Sequence, residues 1–321
     1  MFCFQPQRRR LLLGGLALAL GCSRPQPLVR VACHVWPAYE LLYLARELGV
    51  YEGSGLRLVE TSSATDSLMA LANSEVEAAA LTLDELLMAL EGGLTLRAIL
   101  VFNESVGADV VMARPDIRTP ADLEGRRIGV EDTAVGALVY AKLLEWAQLP
   151  AASLSKLPLT VDRHVEAYRS GKVDAVVTFE PHATQLALAG AIRLFDSSHF
   201  PGLIVDVLAA HVKALETSPE AFRRLLAGYF HALTHYQNDP VESARRMAPR
   251  MGITPDELLS GMWGLHLMDL AANRDWLEGA SARLFGSAQE VMRVMLANRL
   301  LRQVPDLAHL ADARFLPVTP T

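Results

Sequence analysis

Apolar residues fall in two alternating patterns along most of the chain. VRVACHV, from Val29, reads as a strand, YELLYLAREL carries its apolar residues at helical spacing, and LRLVE resumes as a strand after the turn at Gly49. A helix over 65–73, the strand VEAAAL, a helix over 84–90 and the strand LRAILVF continue the series. Strands alternating with helices at this spacing predict a mainly parallel sheet covered on both faces.

The rhythm then restarts. TPADLEGRRIGVE predicts a capped short helix and a strand, ALVYAKLLEWAQL an amphipathic helix, and HVEAYRSGKVDAVVTFEP a helix, a turn and a strand. Two α/β lobes are the expectation. GADVVMARPDI and IVDVLAAHVKAL are apolar extended runs placed to carry the chain across and back. The pattern puts 29–110 and 206–321 in the first lobe and 111–205 in the second. From about position 219 the pattern is almost wholly helical, with breaks at Asp239-Pro240, Thr254-Pro255 and Asn273.

One pattern occurs twice. NSEVEAAALTLDEL from Asn73 and SGKVDAVVTFEPHA from Ser170 each run from a polar turn through an apolar strand to a threonine and an acid, Asp84 and Glu180. Ligands of open α/β sheets sit beyond the carboxyl ends of the strands. If both lobes present that edge to one cleft, Thr82 and Asp84 form one wall and Thr178, Phe179 and Glu180 the other. Helix capping and dipole stabilisation give both acids a second, structural reading.

The N-terminus changes the cellular picture. Arg8, Arg9 and Arg10 precede the apolar run LLLGGLALALG, and Cys22 follows Gly21 directly. This is similar to a bacterial lipoprotein signal over 1–21, cleaved so that Cys22 is lipidated, with 22–28 as a linker. An ordinary secretory leader and twin-arginine export are the alternatives. Only Cys33 is then left of the three cysteines, so no internal disulfide and no Cys-based zinc cluster is expected. The formal charge of −6, about −9 without the leader, argues against a nucleic-acid groove.

VACHVWPAYELLYLARELGVYEGSGLRLVE, SSATDSLMALANSEVEAAALTLDE, ADLEGRRIGVE and GKVDAVVTFEP together resemble the substrate-binding proteins of ABC importers of the nitrate/taurine/sulfonate type. That broad family also includes binders of thiamine pyrimidine precursors. The resemblance spans about Val29 to Phe315. It implies a type II periplasmic binding fold of two α/β lobes joined by two crossover strands, with a small-molecule ligand in the cleft and an ABC permease and its ATPase as partners. A monomer, held at the membrane by its lipid anchor, is the accompanying expectation.

Candidate contacts follow from the strand ends. Trp36 and Tyr39 follow the first strand, and Trp36 offers a flat face for a ring or a cation. His34 is read as a core histidine and Glu40 as a first-turn helix acid. Asn103 and Ser105 are placed in a loop, Thr133 in a strand-to-helix turn, and Asp206 near the return crossing. No Arg or Lys stands in these loops to grip an oxyanion. A nitrogen-bearing organic solute, neutral or cationic, is therefore favoured over a sulfonate, nitrate or taurine.

Catalytic signatures are missing: there is no GxxxxGK[ST], HExxH or GxSxG. His231 and His235 stand four apart on one helix without a third ligand nearby, which favours packing over metal binding. Pyrimidine synthases and menaquinone-pathway dehydratases share the fold implied by the resemblance, but they work in the cytoplasm. No cofactor, metal or catalytic residue is expected.

Overall fold

The computed structural model describes residues 28–131, 135–279 and 282–319. Cys22 and Thr133 lie outside them. The chain begins with β1 (Val29–Cys33), α1 (Glu40–Glu47), β2 (Leu56–Glu60), α2 (Ala64–Ala72), β3 (Ala78–Thr82), α3 (Leu83–Glu91) and β4 (Leu96–Ser105). It crosses to β5 (Val110–Ala113), β6 (Arg127–Val130), α4 (Val135–Ala147), β7 (Ser155–Pro158), α5 (His164–Arg169), β8 (Ala175–Thr178), α6 (His182–Leu188) and β9 (Ile192–Asp196). It returns through β10 (Val205–His211) and closes with α7 (Val212–Thr217), α8 (Pro219–Asn238), α9 (Pro240–Met251), α10 (Pro255–Met262), β11 (Leu265–Leu267), α11 (Leu270–Leu277) and α12 (Arg283–Ala297).

Two sheets result, with orders β11-β4-β10-β3-β1-β2 and β7-β6-β8-β5-β9. Strand β1 is parallel to β2 and β3, and β6 is parallel to β7 and β8. Into each sheet the other half of the chain inserts one antiparallel strand: β10 pairs with β3 and β4, and β5 with β8 and β9. This is the two-lobed arrangement with two crossover strands that the sequence predicts. The crossings fall one residue earlier than the pattern suggests, since Val110 already pairs with Thr178 and Val205 with Glu104.

The local reasons are readable. Strands β3 (AAALT) and β8 (AVVT) are buried along their whole length, as central strands covered on both faces must be. Proline opens α8, α9 and α10, where its missing N–H has no partner to lose. Gly264, just before β11, lies so close to the first crossing that a Cβ there would come within 2.8 Å of the Ala108 nitrogen. Only glycine permits that approach.

The C-terminal helices pack on the first lobe through a buried ion pair. Arg250 of α9 meets Glu40 of α1 at 2.8 Å and Glu60 at 3.0 Å, and its guanidinium lies 3.6 Å over the ring of Tyr43. Glu40 is fully buried, so it is an anchor for α9 and not the idle first-turn acid expected from sequence. No helix among the described residues is long and apolar enough to cross a membrane.

Candidate functional site

Strand register builds one wall of the cleft. Asp206 on β10 stands opposite Thr82 at the end of β3 and opposite Asn103 on β4, so three neighbouring strands bring these side chains into one row. The Tyr39 hydroxyl donates to Asp206 Oδ1 at 2.5 Å, and Asn103 Nδ2 donates to Oδ2 at 2.7 Å. The Trp36 indole N–H donates in turn to Asn103 Oδ1 at 3.2 Å. This chain of bonds fixes the indole against the lobe.

The second lobe meets it directly. Phe179, following β8, lies edge-on to Trp36 with ring centroids 5.1 Å apart, and 6.0 Å from His34. Between them is a cavity lined by His34, Trp36, Thr82, Glu85 and Asp206 of the first lobe, by Phe179 and Val135 of the second, and by Asp109 and Ile204 of the crossings. The lobes leave only about 10 Å³ there, room for about one water. Larger hollows exist on the surface, one of about 660 Å³ beside α7 and the C-terminal segment. That hollow lies at the opposite end of the first sheet, near Arg97 and Val212, away from the strand ends that ligands of this architecture use.

The cavity is acidic and buried. Burial pushes Asp84 up to about 6, Asp109 up to about 7 and Asp206 up to about 8, and pushes Glu85 well above the carboxylate range. The neighbouring Asp84 adds to the rise at Asp109 and Glu85, and hydrogen bonds from Tyr39 and Asn103 offset part of it at Asp206. His34 is pushed down to about 3, first by burial and then by Arg250 and His182, and is therefore neutral. Asp109 Oδ2, Asp84 Oδ1, Glu85 Oε1 and His34 Nδ1 are buried without a hydrogen-bond partner among the described residues.

The expected site residues separate into groups. Trp36, Thr82, Phe179 and Asp206 line the cavity, while Tyr39 and Asn103 stand behind it as supports and Asp84 is buried beside Glu85. Asn103 and Ser105 belong to the end of β4 and not to a loop. Ser105 does not line the cavity; its hydroxyl meets Ser197 Oγ at 2.8 Å and accepts the Asp109 N–H, which ties the two crossings together. Glu180 is also absent from the lining. Its Oε2 accepts the Thr184 N–H at 3.0 Å inside α6, which favours the helix-acid reading. His235 Nδ1 meets Ser243 Oγ at 3.1 Å, a packing contact between α8 and α9.

Sequence reasoning missed Glu85, Asp109 and the role of His34. Glu85 had a legible signal, because Thr82-x-x-Glu85 is a capping box, and Glu85 Oε2 does accept the Thr82 N–H at 2.8 Å. Asp109 had none beyond its position in the crossing. Among the described residues no group of three or more His, Cys, Asp or Glu is placed to hold a metal ion.

Comparison with known proteins places this geometry. The model of the family described as NMT1/THI5 like matches residues 36–243. No curated protein matches the chain by sequence. The alkanesulfonate-binding protein SsuA from Xanthomonas axonopodis pv. citri, bound to MOPS, superposes with a TM-score of 0.74 at 18% identity, over 87% of this chain and 96% of that one. The ligand-binding component of an ABC-type import system from Staphylococcus aureus, with zinc bound, gives a TM-score of 0.75 at 13% identity, over 91% and 98%. The desulfurization enzyme DSZB gives 0.65 at 18% identity, over 90% and 97%. At these identities the likeness is one of fold, and it is the periplasmic binding protein fold. With more than half of its length under the family model, the chain belongs to the NMT1/THI5-like family.

Proposed function

We propose that this protein is the substrate-binding component of an ABC importer. It captures a small nitrogen-containing organic solute, neutral or cationic, in the cleft between its lobes and delivers it to a permease driven by an ATPase. Ligand bound to both walls favours the closed arrangement, and the permease reads the rims of the closed lobes. The protein works as a monomer outside the membrane, held there by lipid on Cys22.

The observation that carries this reading is the interlobe cavity: carboxyl groups and aromatic rings at the strand ends, with no Lys or Arg among the described residues of the lining. A sulfonate or nitrate receptor on the same fold needs donors for an oxyanion, and Asp109, Glu85 and Asp206 place carboxyl groups there instead. The enzymatic reading, prompted by a fold shared with DSZB, is less favoured where the lining has no cysteine or serine to act as a nucleophile. Among the described residues the lining holds neither cysteine nor serine. A thermal-shift screen of amines, pyrimidines, sulfonates and nitrate tests the proposal, since a ligand that binds only the native state raises the melting temperature. Turnover of a hit would reassign the protein as an enzyme.

A further inference from the structure

The charge of the ligand can be taken further than "neutral or cationic", because four carboxyl groups meet at or beside the cavity. Asp109 comes from the first crossing, Asp84 and Glu85 from the start of α3, and Asp206 from β10. Asp206 has both oxygens engaged, by Tyr39 and Asn103. Asp109 Oδ2, Asp84 Oδ1 and Glu85 Oε1 have no partner among the described residues, and each belongs to a side chain at most 2% exposed. Buried carboxyl oxygens without donors are costly to the folded state unless something supplies a donor or a positive charge.

Ser105 bonds Asp109 and Thr82 bonds Asp84 and Glu85, but among the described residues no donor reaches the three open oxygens. The titratable groups facing these acids are His34 after β1, Tyr39 before α1, Tyr229 on α8 and Glu131 after β6, and His182, opening α6, acts on His34. His34 is neutral, and the guanidinium that acts on it, Arg250, is taken by Glu40 and Glu60. Trp36 and Phe179 add aromatic faces, which attract cations and shelter hydrocarbon.

We propose that the cleft takes a protonated amine, with its ammonium on Asp109, beside Asp84, Glu85 and Asp206, and its hydrocarbon against Trp36 and Phe179. This rests on reading the cleft as the ligand site. An alkylammonium offers up to three donors, and Asp109 Oδ2 is free to accept one of them.

The same arrangement makes capture an exchange of protons. The amine arrives already protonated at neutral pH. Asp109, lifted to about 7, carries a proton part of the time. Docking of the ammonium favours the carboxylate, so the carboxyl proton leaves to solvent while the amine keeps its own. Affinity then rises with pH between about 6 and 8, by up to about tenfold per pH unit for each proton released.

The test is calorimetry and thermal shift on the purified protein with methylammonium, butylamine, 1,4-diaminobutane and choline. Butanol, ethanesulfonate and nitrate serve as uncharged and anionic controls. The expected result is that at least one ammonium compound binds, more tightly at pH 8 than at pH 6, with a heat that depends on the buffer's ionisation enthalpy. Asp109→Asn should weaken it at least tenfold and flatten the pH dependence. Asp84→Asn is the second variant, and the unliganded melting curves of both report folding. Binding of ethanesulfonate, nitrate or butanol alone overturns the amine while leaving the receptor reading intact. Amine binding that is flat with pH and indifferent to both variants overturns the acid site. Failure of every class of probe overturns both.

Discussion

Glu131, just after β6 in the second lobe, accepts hydrogen bonds from both the hydroxyl and the backbone N–H of Thr65, in the first turn of α2 in the first lobe. It is 4% exposed, and burial raises it above the ordinary carboxylate range. The contact crosses the cleft, so it exists only while the lobes are together. Hydrogen bonds to charged groups are worth about 1.5–3 kcal/mol, or roughly ten- to a hundredfold in the ratio of closed to open forms. Glu131→Ala should enlarge the radius of gyration in small-angle scattering and weaken ligand affinity by about that factor. An unchanged radius and affinity would show that the pair does not hold the lobes.

The acid cluster makes a signed prediction for stability. Asp109 has its folded pKa raised to about 7 from an unfolded value of about 3.9. The folded state therefore binds the proton more tightly, and this group's contribution is fully present below about pH 4 and lost as pH rises through about 7. Asp109→Asn should accordingly stabilise the unliganded protein at pH 8, by on the order of 3 kcal/mol, and change little at pH 4. Denaturant melts at the two pH values check it. Destabilisation at pH 8 would mean that the carboxylate has a partner in the fold.

Trp36 belongs to both wall and scaffold. It is only 3% exposed, so Trp36→Ala should cost about 3–5 kcal/mol of unliganded stability in addition to ligand affinity. Trp36→Phe keeps an aromatic face toward Phe179 but removes the donor to Asn103, leaving Oδ1 unsatisfied at a cost of about 1–3 kcal/mol. Unfolding and binding measured on both variants separate the two roles. If Trp36→Phe matches wild type in stability, the indole bond does not position the ring.

Arg250 tests the anchor of the C-terminal helices. Its loss leaves Glu40 fully buried and unpaired, so Arg250→Ala should destabilise by about 3–5 kcal/mol. Combining Arg250→Met with Glu40→Leu should recover much of that, because a buried ion pair can be replaced by apolar side chains at little cost. A double variant as unstable as the single one would locate the defect elsewhere.

Processing is tested by fractionation. Cys22→Ser should leave the precursor without lipid and shift the protein from the membrane fraction to soluble or uncleaved material. A wild-type protein that is wholly soluble, with its N-terminus beyond Cys22, would remove the anchor.

The twice-used pattern of strand, threonine and acid is explained by topology. Strands β3 and β8 occupy matching places in their sheets, each beside the strand inserted from the other half of the chain. Periodicity makes such strands legible because it is local. Thr82 and Phe179, which line the cavity, are legible as strand-end positions because a strand's end is visible in its own sequence. Asp109 was not, since its place depends on where two sheets come together. Arg250 and Glu40 are 210 residues apart, and no spacing rule connects them. Glu180 reads equally from sequence as a wall or as a helix acid, and its bond to Thr184 favours the second.

The reciprocal insertion of β5 and β10 also sets an order of assembly. The second sheet is drawn from one continuous stretch, Val110 to Asp196, so all its strands have left the ribosome once β9 has. The first sheet is different: β3 and β4 have no partner between them until Val205–His211 has been made. A chain stopped between the two crossings therefore holds a sheet with two open edges, the condition that invites pairing with other chains. The half that emerges first therefore cannot complete its sheet until the second crossing has been made.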